Sequence, residues 1–461
     1  MRDLRKKILM ESGKTVSRKQ RLKPDSNFGS TTQSPSSSPA GSRQASRAPS
    51  RYASEDELSD DDLNDSLTNS VIASEDGEET IRDWTDKLKD CINEILDRKR
   101  SSTQGRERYF VGYTHLARHH FADTIIENQL HELVPAMLKS IRGGRNTDEI
   151  VGALKALQIT TFTTQSESIY DQVFSILKST AESSDEESVK VEALYTMAVA
   201  TIFGGGAELA AQELMDLAVE IVESDGHSIA AGDNGPVVTA ALAIWGFLAS
   251  HIDDLEQQSE EALEAFTEQL DSSDADVQIA AGTNIALIFE ALRIFNEQAE
   301  EEHDRRQEEL RQEAKQKGGD RYIPEPYNPF DLQYNQHQLV QKMTELAGES
   351  SKGVSRKDRR QLHATFNSIL KSLELGKGPG YSEAGRVARA SDRGGARVFD
   401  AEKVFTEFGY RNTVKGDDGR TLTIDSWSLS IRVDFLKKIT GGGFTTHWAY
   451  NSAVEETFDS A

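Results

Sequence analysis

From Trp84 onward, apolar side chains recur in steps of three and four. Trp84, Leu88, Ile92 and Ile95/Leu96 form one stripe of a helix. The pattern returns in stretches of about 12–20 residues. It predicts helices near 84–98, 105–121, 123–141, 147–162, 167–181, 186–203, 207–224, 236–252, 257–270 and 275–316. The punctuation between them suits helix ends. Gly143-Gly144, Gly204-Gly205-Gly206 and Gly226 supply stops, and Asp148, Asp185 and Asp274 stand where N-caps belong. No strand-like alternation appears in this half.

The helices also look alike. The stretch from Asp185 to Phe203 recurs loosely from Asp274 to Phe289, with Val189 over Val277, Ala193 over Ala281 and Ala198 over Ala286. The offset of 88 residues is two units of about 44, inside the roughly 40–47-residue period of HEAT and armadillo repeats. A related segment, Pro236 to Ile252, lies between the two copies. One helical pair cannot bury its apolar face alone, whereas stacked pairs share a core and leave a long concave surface. The expected fold is all-α: an armadillo/HEAT-like helical-repeat solenoid with a small, mainly helical C-terminal module.

Residues 295–317 alternate acidic and basic side chains at helical spacing and predict a polar helix projecting into solvent. A Pro-containing crossing follows from Tyr322 to Phe330. Val340, Met343 and Leu346 mark one further helix, and Leu362, Phe366, Ile369 and Leu373 a second that ends at Gly376. Residues 376–397 are rich in Gly, Arg and Ser and are expected to be flexible. Val398 to Phe408 could begin a small ordered unit. Leu422 to Ile424 suit a short extended piece, and Ser426 to Ile439 an amphipathic helix stopped by Gly441-Gly442-Gly443.

Composition adds the ends. Only 36 % of residues are hydrophobic, against about 45–50 % in an average globule. The deficit sits in residues 1–80, where Ser, Thr, Pro, Gly and charge predominate and too little apolar surface exists to offset ordering entropy. The expected organisation is a disordered tail over 1–80, repeats over 81–335 and the C-terminal module over 336–461. The net charge is −24, but it is segregated. Up to Arg51 there are about twelve bases against three acids, from Glu55 to Asp90 about fourteen acids against three bases, and from Lys352 to Lys438 an excess of about seven bases. Ser46 and Ser50 lie in basic contexts and Ser54 and Ser59 in acidic ones, so all are candidate phosphorylation sites.

Catalytic chemistry finds little support. Cys91 is the single cysteine, which excludes an intrachain disulfide and fits a reducing compartment, cytoplasm or nucleus. The N-terminus lacks the apolar core of a signal peptide. The longest apolar run, Val237 to Ala249, is shorter than the ~18–20 residues of a membrane span. Ser12-Gly-Lys-Thr15 ends like a phosphate-binding loop, but Ile8 stands where the first glycine is needed. Adjacent His119 and His120 diverge by about 100° on a helix and cannot chelate together. No cofactor, metal or small-molecule substrate is expected. The cluster Arg356, Lys357, Arg359, Arg360 is more informative: four cations in five residues opening a helix suit phosphates or an acidic partner. A solvated helix face, or pairing with the acidic repeats, is the alternative.

Two sets of residues then resemble the interferon-related developmental regulator family. In the helical half they are Gly105-Arg-Glu-Arg-Tyr109 and the run Glu192 to Gly204. In the C-terminal half, Val354 to Arg360 with Phe366 and Ile369-Leu370 is similar to the family's "SKKDRR…F…IL" block. Ile424-Asp-Ser-Trp427, Leu436, Gly441 to Phe444, His447 and Asn451 resemble its "ID-W…L…G-GF…H…N" signature. The resemblance implies an armadillo-like domain and a regulator without catalysis, acting in transcriptional co-regulation with co-repressor complexes or in repressing translation on idle ribosomes. It adds Trp427, Phe444 and His447 to the basic cluster as candidates for partner binding. The pattern ends acidic, at Glu455, Glu456 and Asp459, so a role requiring a long basic C-terminal extension is not expected. The alternative is a generic cargo or assembly adaptor whose acidic repeats bind basic peptides without touching nucleic acid.

Overall fold

The computed structural model describes residues 84–97, 102–144, 146–252, 254–316, 326, 336–348, 355–381, 410, 412–416 and 419–459. All lie in one unit, Leu58–Ala461. The helices pair in sequence order, an outer one followed by an inner one. The pairs are α1 (Trp84–Leu96) with α2 (Thr103–His119), α4 (Leu130–Gly143) with α5 (Thr147–Thr164), and α6 (Ile169–Ser183) with α7 (Glu187–Phe203). Next come α8 (Glu208–Glu223) with α9 (Gly235–Ala249) and α10 (Glu256–Gln269) with α11 (Ala275–Gln316). A short helix, α3 (Asp123–Glu127), follows α2. The predicted helix over 123–141 is therefore two. Asn128 ends the first by donating its amide to the Thr124 carbonyl at 2.7 Å.

The pairing runs past residue 335. Helices α12 (Gln336–Gly348) and α13 (Arg356–Leu375) form a sixth pair, with α13 against α11 and α12 tied to α10. Lys342 Nζ donates to the Thr267 carbonyl at 2.8 Å and meets Asp271 at 2.7 Å. Phe366 and Ile369 of α13 press on Gly282 of α11 so closely that a Cβ there would lie 2.9 Å from the Phe366 ring.

Inner helices touch their neighbours along the whole row α2–α5–α7–α9–α11–α13, whereas the outer row is looser. A stack with one tighter row bends toward it, so the inner row lines the concave side. The two rows differ in kind. Outer helices such as α6 bury a single stripe, here Ile169, Val173, Ile176, Leu177 and Ala181. The central inner helices are buried nearly all round: from Gly152 to Thr163 only Lys155 keeps partial exposure, and from Val237 to Ser250 only Thr239 and Ala243 do. The copies matched by sequence, Val189/Val277 and Ala193/Ala281, fall at buried positions of α7 and α11 with α9 between them.

The repeat also reuses a polar role. Lys190 and Gln278 occupy equivalent positions, one after Val189 and one after Val277. Lys190 Nζ donates to the Ala181 and Ile229 carbonyls at 2.8 and 2.6 Å. Gln278 Nε2 donates to those of Leu270 and Ser272 at 3.1 and 2.8 Å. Each closes the C-terminal end of its paired outer helix, where carbonyls lack intrahelical donors.

Helix α11 is 42 residues long. By length and composition its apolar half could cross a membrane, but 56 % of that window is buried in the solenoid. From Glu297 to Gln312 its side chains are mostly exposed, laced by pairs such as Arg305–Glu302 and Arg311–Glu308, each 3.6 Å. The sequence predicts a polar helix over residues 295–317. After α13, Gly376 to Tyr381 is pinned: Gly380 N–H donates to Ser368 Oγ at 2.9 Å, and Gly378 packs on the Asp425 backbone with no room for a Cβ. The rest of 376–397, Val398 to Phe408, and Ser12-Gly-Lys-Thr15 lie outside the described residues, as do the candidate sites Ser46, Ser50, Ser54 and Ser59. A two-stranded antiparallel hairpin, β1 (Thr413–Lys415) and β2 (Thr421–Thr423), leads into α14 (Trp427–Thr440), α15 (Phe444–Tyr450) and α16 (Ser452–Asp459).

Replacing Lys190 by Met keeps the stem and deletes the donors to carbonyls that remain buried. The expected cost is about 1–3 kcal/mol, measured as a lower urea midpoint with an unchanged slope.

Candidate functional site

The concave face is not empty. Helices α14, α15 and α16 lie across it as a strap reaching from α11 back to α2. Its course is set by polar clamps between apolar contacts. At one end the Glu290 carboxylate of α11 accepts the Trp427 N–H at 2.8 and 2.9 Å and the Ser428 N–H at 3.1 Å. It thereby caps the positive end of α14, with Ser426 Oγ accepting from Leu429 N–H at 3.1 Å. Burial raises the Glu290 carboxyl pKa, and the Trp427 and Ser428 N–H groups pull it back. The Trp427 indole N–H donates to Ser372 Oγ of α13 at 2.8 Å.

One helical turn and a half further on, Arg432 is 1 % exposed. Its guanidinium donates to the Ser250 carbonyl, to Ser250 Oγ at 3.2 Å and to the Thr457 carbonyl at 2.6 Å. These groups lie at the C-terminal ends of α9 and α16, where helix dipoles leave partial negative charge. Phe435 then stacks on Phe247 of α9, with centroids 3.7 Å apart and planes 6° apart, and leans on Tyr195 of α7.

The glycine run turns the strap. Gly441 adopts φ +53° and ψ −137°, a region open to glycine. Gly443 rests on the Arg118 carbonyl of α2, where any Cβ would overlap the oxygen. His447 is fully buried, with Nε2 3.1 Å from the Ala117 carbonyl. Burial holds its pKa down to about 4, aided by the nearby Arg118 and His119 charges and opposed by the backbone hydrogen bonds to Ala117 and Arg118. Asn451 Nδ2 donates to the Phe162 carbonyl of α5 at 3.1 Å, and its Oδ1 accepts from Gln165 and Ala453. Arg420 lashes the hairpin down through Glu455, the Trp448 carbonyl and the Trp448 ring face.

The C-terminal signature read from sequence is thus a docking code. Trp427, Leu436, Gly443, Phe444, His447 and Asn451 meet the solenoid or stabilise the strap on it. This corrects their assignment as surfaces for a partner: Trp427, Phe444 and His447 are 4 %, 5 % and 0 % exposed, and the surface they bind is their own chain's. The sequence reading missed Glu290 and Arg432, although each is a charge inside an apolar run, which signals a buried clamp.

The basic cluster is placed differently. Ser355 Oγ caps α13 by accepting the Asp358 N–H at 3.2 Å. Lys357 and Arg360 are exposed in the first turns, and Arg359 is half-buried. Arg356 opens the helix. Lys357 and Asp358 stand near Asp276 at the start of α11, whose carboxyl is raised by burial and by Asp274 and Asp358, and lowered by Lys357. Part of the cluster faces the acidic start of α11 and part faces solvent. Among the described residues no group of three or more His, Cys, Asp or Glu could hold a metal ion. His119 bonds the His115 carbonyl, and His120 stacks on Trp84.

Fold and site together define a helical-repeat scaffold whose groove is closed by its own C-terminal strap. The family model for the interferon-related developmental regulator matches residues 50–374, ending in the last turn of α13. An uncharacterized protein of Schizosaccharomyces pombe is 24 % identical over 373 residues, covering 80 % of this chain and 73 % of the relative. The chain belongs to the interferon-related developmental regulator family, a family of regulators.

Gly443→Ala should lift α15 from α2 at a cost of about 1–3 kcal/mol, read as faster amide exchange in α15 and in the last turn of α2. Acid should loosen the same joint. Below pH 6.5 the unfolded chain binds a proton that buried His447, at about 4, refuses. Stability is then intact above the unfolded value and falls with acidification, by about 2 kcal/mol at pH 5 from this residue. His251, held at about 4 by burial and by Arg432, adds the same sign. Thermal midpoints at pH 7 and 5 should show the drop, and His447→Gln should reduce it to the part due to His251.

Proposed function

We propose that this protein is a non-enzymatic regulator of gene expression. It works as a protein- or ribonucleoprotein-binding adaptor in the cytoplasm or nucleus, without cofactor, metal, membrane or small-molecule substrate. The observation that carries the reading is the division of surfaces: the concave face is taken by the strap, while the cationic start of α13 stands at the end of the solenoid with Lys357 and Arg360 in solvent. Cations in the first turn oppose the helix dipole. Helix formation alone therefore does not favour them there, and contact with phosphates or an acidic protein surface does. Family membership supports regulation. Repression of translation on idle ribosomes and co-regulation of transcription through co-repressor complexes are the two forms it takes.

A second reading, a cargo adaptor for basic peptides, is favoured by the outer face. The exposed residues Glu213, Asp216 and Glu220 on α8 stand beside Glu261 and Glu264 on α10, and neither helix contains Lys or Arg. The Asp216 carboxyl is raised by burial and then by Glu261 and Glu213, a crowding that a basic segment would relieve.

Sedimentation of lysates from growing and starved cells separates the readings. Co-migration with monosomes on starvation, lost at high salt, is the expected result. Reversing Arg356, Lys357, Arg359 and Arg360 to Glu should move the protein to the top of the gradient. Retention of monosome binding by that variant sinks the role of the cluster. If the unaltered protein stays at the top in both states, the ribosomal form is wrong.

A further inference from the structure

The strap is not only a cover; it shows what the concave face recognises. Along α14 the groove makes three different kinds of contact in a fixed register. Glu290 takes the free N–H groups at the start of a helix whose first residue is Trp427. Five residues on, the open carbonyl end of α9 at Ser250 takes the Arg432 guanidinium. Three and four residues beyond that, Phe247 and Tyr195 receive Phe435, and Leu436 is fully buried. This is helix-in-groove recognition, in which buried side chains supply affinity and polar groups fix register.

The groove belongs to helices that have independent partners. Each inner helix is paired with an outer one, and α14 to α16 enter only after the hairpin, so undocking the strap unpairs none of those helices. The strap's hold is also smaller than its apolar contacts suggest. Glu290, Arg432 and His447 are all buried, at 7 %, 1 % and 0 % exposure, and burying ionisable groups costs desolvation that their hydrogen bonds only offset.

We propose that the concave face is a helix-binding groove held closed by the chain's own strap. Its external ligand is an amphipathic helix of a partner protein with an aromatic residue at its N-terminal turn, arginine five residues later and paired apolar side chains three and four beyond. The partner gains the groove when the strap gives it up. This surface is separate from the basic start of α13, so the inference stands whether or not that cluster binds ribosomes.

The probe is a fluorescent synthetic peptide of residues 424–459, titrated by anisotropy into the full chain and into the full chain carrying Arg432→Ala and Phe435→Ala. Those changes weaken the strap and leave the groove intact. At least ten-fold tighter binding to the variant is expected. A second peptide, keeping only the positions of Trp427, Arg432, Phe435 and Leu436 on an Ala/Glu/Lys helix, should also bind, and exchanging its Arg and Trp positions should abolish binding. No binding of the first peptide to a variant that retains its helical circular dichroism and a cooperative melt would overturn the proposal. Amide exchange of the unaltered protein is the second measurement, independent of how the variant folds. Exchange of α14 to α16 ahead of α5 and α7 supports a releasable strap. Exchange of all of them at the single rate of global unfolding makes the strap part of the core and ends the proposal.

Discussion

A helix that is apolar on every side needs something other than water against each of its faces. Helices α5, α7 and α9 are such helices, and they impose the architecture. Outer helices cover one of their sides and adjacent inner helices cover two more. The fourth side faces the concavity, which many repeat proteins leave open for ligands. Here it is lined by Phe162, Phe203 and Phe247, and the chain returns after α13 to cover it. The strap is the consequence of inner helices that were never made amphipathic.

Apolar contact explains why the strap docks but not where. Register comes from groups that tolerate only one setting: a carboxylate beneath a helix N-terminus, a guanidinium between two helix C-termini, a glycine against a carbonyl and an asparagine that ends α5 while starting α16. Each is costly to bury unpaired, so a slipped strap would strand several at once. The outer surface is under no such constraint. It can segregate charge, with carboxylates on α8 and α10 and cations at the start of α13.

Much of the fold was legible because helical repeats write it locally. The steps of three and four, the glycine stops and the 88-residue offset between Val189 and Val277 are all short-range signals. The membership of α12 and α13 in the same stack was harder to see, because their apolar stripes are thinner and the polar half of α11 and a Pro-containing crossing interrupt the period. For the C-terminal segment the resemblance named residues, while their role depended on contacts across hundreds of positions. His447 reaches Ala117 over a separation of 330 residues, and nothing near His447 in sequence announces that.

The sequence by itself determined the all-α class, the repeat, the projecting polar helix and the basic turn at the start of α13. Each is a property of residues close together in the chain, where periodicity, caps and charge spacing act directly. Only the tertiary structure decided that the concave face is filled, and that Trp427, Phe444 and His447 are internal clamps while Lys357 and Arg360 remain at the surface. An aromatic or a histidine has the same local pattern whether it meets solvent, a partner or its own chain. Which one it meets is settled by where the inner helices leave apolar surface uncovered, and that is a property of the whole stack.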